Sequence, residues 1–197
     1  TYPMLFTHRF TKDIFISCCI VISLYFIINN PITHPVPRQS QGNWSIQLMQ
    51  QPLVFGLAGH NYLALRNENT KIIKELHGLA TDSYTGIWKY VGFSKSDILQ
   101  VWEFNGPHFY LAEKKFSGII LHEGSSFEVE NIWKKAENCI EPINKKRIPY
   151  PPFGVTVTGD TENSNSVAYT LALCMGLDPQ HLGLITPGEG KNLLEGQ

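Results

Sequence analysis

The stretch His60-Asn61-Tyr62-Leu63-Ala64-Leu65-Arg66, then Asn67-Glu68-Asn69-Thr70, then Lys71-Ile72-Ile73-Lys74-Glu75-Leu76-His77 decides the fold. Both flanks have strand character, and Leu63 and Leu65 share a face. The Asn-Glu-Asn-Thr cluster between them is turn chemistry, so the whole reads as a β-hairpin. With an even-numbered loop centred between Glu68 and Asn69, Arg66 faces Lys71 and Ala64 faces Ile73. Tyr62 then faces Glu75, and His60 faces His77. Opposed side chains share a face with Cβ atoms about 4.5–5.5 Å apart. The hairpin thus predicts two neighbouring histidines with Glu75 diagonal to His60. A three-residue loop or a bulge breaks that pairing.

C-terminal to the hairpin, Ile98 to Asn105 and Phe109 to Ala112 read as strands around a Gly106-Pro107 turn, and Ile119 to His122 as another. Ser126 to Cys139 has helical spacing through Val129, Ile132, Trp133 and Ala136, with Ser126 as a candidate N-cap. Pro149, Pro151 and Pro152 break the chain, and Val155 to Val157 is a candidate last strand. Thr161 to Gly176 (TENSNSVAYTLALCMG) clusters Asn and Ser before an apolar run that a glycine closes, the signature of a capped helix. Val167, Leu171 and Cys174 form one stripe. Ser164 lies on that stripe at the helix N-terminus and faces whatever the helix packs on.

The expected class is therefore α+β. An antiparallel sheet carries a packed helix bearing a candidate nucleophile, Ser164, and an N-terminal hydrophobic anchor helix precedes it. Helix dipoles and free N–H groups stabilise negative charge at helix starts. A histidine can take a nucleophile's proton while a third polar group orients its ring. The candidates are Ser164 as nucleophile, His60 as base, and His77 or Glu75 as orienting group. Backbone N–H groups near Asn163 and Ser164 are the candidate oxyanion hole. The plain alternatives are a capping role for Ser164 and Asn163, a backbone-bonded strand histidine at position 60, a strand-end residue at His77 and a solvated one at Glu75.

Gly59-His60-Asn61-Tyr62-Leu63-Ala64-Leu65 and Asn163-Ser164-Asn165-Ser166 resemble the histidine strand and helix-opening nucleophile motif of circularly permuted papain-like folds. These are the permuted relatives of the NlpC/P60 peptidases, among them the lecithin:retinol acyltransferase-like proteins. The resemblance covers roughly His60 to Gly176. It implies hydrolysis or transfer of a peptide amide or acyl bond, with His60 as base and Ser164 where the family has cysteine. That departure matters. A helix N-terminus can bring a thiol towards ionisation at neutral pH. A serine hydroxyl is too weak an acid and needs concerted help from His60. The competing class is a non-catalytic binding or interaction domain on the same scaffold.

Residues 14–28 (IFISCCIVISLYFII) carry no charge and follow His8, Arg9 and Lys12, as a targeting or anchoring segment does. This divides the chain into a signal anchor over 1–30, a Pro-rich linker over 31–43 and a globular domain over 44–197. The run is short of the ~20 residues of a full span but compatible with a marginal one. A buried core helix is the alternative. The positive-inside tendency places the domain outside the cytoplasm, anchored or, after cleavage, secreted.

The 197 residues include 16 basic and 17 acidic side chains, which exclude a global basic field for nucleic acid. The content of 43% hydrophobic and 17% charged residues excludes a disordered chain. The four cysteines form no CxxC pair and the histidines no HExxH, so neither a metal nor a cofactor is expected. Cys139 and Cys174 could bridge in an oxidising compartment. The basic run Asn144-Lys145-Lys146-Arg147 reads as a solvated loop able to touch anionic head groups at a membrane.

Overall fold

The computed structural model describes residues 39–53, 58–108, 117–156 and 161–195. The anchor segment over 14–28 and the strand expected at Phe109 to Ala112 lie outside these residues. The fold is α+β, an antiparallel sheet with two helices. Its strands are β1 (Trp44–Leu53), β2 (Ala58–Arg66), β3 (Ile72–Asp82), β4 (Trp88–Lys89), β5 (Asp97–Asn105) and β6 (Ser117–Gly124). The path runs β4-β3-β2-β1-β6, and β5 also pairs with β3.

The expected hairpin forms, but its pairing slips by two residues. Ala64 lies opposite Glu75, and Leu63 opposite Leu76. The cause is local chemistry at Asn67. Its side-chain oxygen accepts the N–H groups of Asn69 and Lys71, at 3.0 Å each, and its own N–H bonds Lys71 O. The loop therefore takes in Lys71, and a register shift follows between Leu65 and Arg66. Side chains alternate along a strand, so a slip of two keeps every residue on its face. His60 and His77 become diagonal rather than direct partners.

One face of the sheet builds the main core. Ile46, Leu48, Leu63, Leu65, Leu76, Ala80, Leu99 and Val101 meet Val129, Trp133 and Ala136 of α1 (Ser126–Lys145) and Val167, Leu171 and Met175 of α2 (Ser164–Met175). The N-cap of α1 is Ser125, one residue before the expected Ser126, and its side chain accepts from Glu128 N. Gly176 closes α2 in the left-handed region (φ 75°), where a Cβ would be strained. Residues 155 and 156 are not strand; a short 3-10 turn, Pro152–Gly154, precedes them. A disulfide joins Cys139 on α1 to Cys174 on α2, with Cα atoms 6.6 Å apart. On the opposite face, Met49, Tyr62 and Ala64 form a smaller cluster.

Candidate functional site

His60, His77 and Glu75 come together on that smaller face. His60 Nε2 lies 3.2 Å from His77 Nδ1, and His77 Nε2 lies 3.0 Å from Glu75 Oε2. The two imidazoles are nearly parallel, with centroids 5.5 Å apart, and Tyr62 stacks on His77 at 4.4 Å. Glu75 and His77 are almost fully buried, and His60 is 6% exposed. Burial, reinforced by the neighbouring His77, pulls His60 down to about 3. Burial, with a smaller contribution from His108, holds His77 well below its ordinary value. Both rings are therefore neutral at pH 7.

Neutral rings carry one proton each, so the bonds set the tautomers. Glu75 Oε2 also accepts the backbone N–H of His108 at 2.9 Å. As an acceptor it makes His77 Nε2 the donor. His77 Nδ1 then accepts from His60 Nε2–H. Glu75, His77 and His60 thus form a continuous hydrogen-bonded chain across the two strands. The sequence missed the contribution of His108, which acts here through its backbone.

Ser164 is not part of that chain. A Cβ built on Gly78 would lie 2.8 Å from the Ser164 Cα and 2.7 Å from the Val167 Cβ, so the start of α2 rests directly on Gly78. Gly78 follows His77 on β3, and consecutive strand residues point to opposite faces. The helix bearing Ser164 therefore packs on one side of the sheet and the histidine rings lie on the other. On its own side Ser164 neighbours the Tyr150 phenol, whose pKa it tends to lower. Burial, as the larger effect, raises Tyr150 above the usual phenol value, so it is protonated at neutral pH.

The helix start is equally committed. Asn163 is the N-cap: its Oδ1 accepts the N–H groups of Asn165 and Ser166, while its own N–H donates to Ser166 Oγ. This is a reciprocal capping box, and it takes up the N–H groups of Asn163, Asn165 and Ser166. The Asn163 amide also donates to Gly154 O at 2.7 Å and Pro187 O at 2.8 Å. Asn165 is bonded to β2, accepting from Asn61 N and donating to Gly59 O. These asparagines fasten helix, strand and C-terminal loop together. The cluster of Asn and Ser before an apolar run was their only signal in the sequence. Tyr150 had none, since it lies between prolines that read as chain breakers.

Among the described residues, no group of three His, Cys, Asp or Glu side chains is placed to hold a metal ion. No helix among them is long and apolar enough to cross a membrane. No protein family, curated protein or solved structure matches the chain.

Proposed function

We propose that the chain is a binding domain on a papain-like scaffold, the class that competed with a Ser164–His60 hydrolase. One observation carries this reading: the start of the helix that bears Ser164 rests on Gly78 on one side of the sheet, while His60 is bonded to His77 on the other. A nucleophile without its base and with its neighbouring donors spent on a cap lacks two parts of the catalytic arrangement. The ligand classes are those the family resemblance implies, a peptide or an acyl-bearing molecule. Placement of the domain outside the cytoplasm, held by residues 14–28 or secreted, belongs to the same proposal. The Cys139–Cys174 disulfide supports it, because such bonds persist in oxidising compartments. Exposure of the chain to a serine-reactive fluorophosphonate tests the reading, which expects no covalent label on Ser164.

The Glu75–His77–His60 chain favours a second reading. Buried, strongly shifted groups in a hydrogen-bonded chain are a recurrent feature of catalytic sites. On this reading His60 activates water or a substrate hydroxyl on its own face, and Ser164 takes no part. Ester hydrolysis that survives Ser164→Ala and disappears in His60→Asn would establish it; loss in neither variant removes it.

A further inference from the structure

Two segments carry large apolar side chains that stand clear of the protein. In the loop between β3 and β5, Tyr84 is 89% exposed, Ile87 63% and Phe93 64%. In the turn after Tyr150, Phe153 is 70% exposed. The two segments form one surface. The Phe93 and Phe153 rings meet edge to face at 5.2 Å, and Phe153 N donates to Gly92 O at 2.9 Å. Trp88 and Tyr90 make another edge-to-face pair within the first segment, at 5.0 Å.

The presentation of Phe153 is enforced. Its φ of 58° lies in the left-handed region, which a residue with a Cβ rarely adopts. That conformation is held by Gly154 N to Pro151 O at 2.8 Å and by the Asn163 amide on Gly154 O. A strained backbone that holds a phenylalanine out in water has no folding rationale, and such strain clusters at functional positions.

The charge on these segments has one sign. No carboxylate occurs between Ser83 and Ser96 or between Arg147 and Thr156, whereas Lys89, Lys95 and Arg147 do occur there. Lys89 is bonded to Asp82 and Asp97. Lys95 and Arg147 are exposed. Side chains with so little protein contact do not form the walls of a groove for a shaped partner. They suit insertion into a fluid phase. Aromatic residues beside lysine and arginine favour the boundary between lipid head groups and acyl chains.

We propose that Tyr84, Ile87, Phe93 and Phe153 form a membrane-inserting tip, with Lys95 and Arg147 on anionic head groups. This contact is separate from the anchor expected at residues 14–28, and it rests neither on that anchor nor on the role of Ser164. An anchored chain would sit at the bilayer in any case, so the informative quantity is the depth of the tip rather than bulk binding.

The test uses the full chain on vesicles of phosphatidylcholine and phosphatidylglycerol with or without acyl-chain bromination. Phe153→Trp places a quenchable probe on the tip, and Phe127→Trp places one on the exposed first turn of α1. The emission gained at position 153 should be quenched by bromolipid severalfold more than that gained at 127. Adding Phe93→Asp should return quenching at 153 towards the level at 127. A cooperative urea unfolding transition reports that each variant is folded. Equal quenching at the two positions in folded protein overturns the proposal. So does an unquenched probe at 153 with concentration-dependent self-association, which would assign the tip to a second copy of the chain.

Discussion

Acid should destabilise this protein through its buried histidines, and the effect can be sized for His60. Its ordinary value is 6.5 and its folded value about 3. The unfolded chain therefore binds a proton at this residue below pH 6.5 while the folded chain does not until about pH 3. Stability from the neutral ring is complete above pH 6.5 and is lost as pH falls towards 3. At about 1.36 kcal/mol per pH unit, the loss reaches ~2 kcal/mol at pH 5 and approaches ~5 kcal/mol at pH 3. His77 adds a loss of the same sign. Urea unfolding of the parent and of His60→Asn at pH 7, 6 and 5, with the disulfide intact, isolates the His60 share from every other titrating group. The drop between pH 7 and pH 5 should be ~2 kcal/mol smaller in the variant than in the parent. Equal drops would mean that His60 is not buried as a neutral ring, and the argument for a hydrogen-bonded Glu75–His77–His60 chain would fall with it.

Gly78→Val drives a Cβ into the Ser164 Cα and the Val167 side chain, so it should lower stability by about 1–3 kcal/mol, or more if α2 cannot shift, as read by urea midpoint. Reduction of Cys139–Cys174, or replacement of both by Ala, opens a loop with a sequence separation of 35 and should cost ~4 kcal/mol in the chain-entropy treatment. Thermal unfolding with and without reductant measures it.

The hairpin was legible because alternation and a polar turn cluster are local signals. Its register was not, because it depends on how the Asn67 side chain folds the loop back on itself. The slip of two left His60, His77 and Glu75 on one face, as the alternation required. The capped start of α2 was legible in Asn163 to Ser166, but the identity of the cap was not, since Asn163, Ser164 and Ser166 are all capable of it. The side of the sheet that receives the helix was the decisive unknown. Gly78 and Ala80, small and two apart on β3, are the residues that admit close packing, and they point away from His77. Read together, they would have placed Ser164 opposite the histidines. Tyr150 comes to neighbour Ser164 across a proline-broken segment, and no pattern near Pro149-Tyr150-Pro151 announces it.

The central claim is that Ser164 and His60 do not work as a pair. Fluorophosphonate labelling of the full chain, with modified residues mapped by peptide mass and with Ser164→Ala and His60→Ala as comparisons, tests it most directly. The folded parent should carry no label on Ser164, including with the smallest fluorophosphonate able to reach a narrow cleft. Label on Ser164 that is lost in His60→Ala would contradict it, because that result requires the hydroxyl and the imidazole to meet.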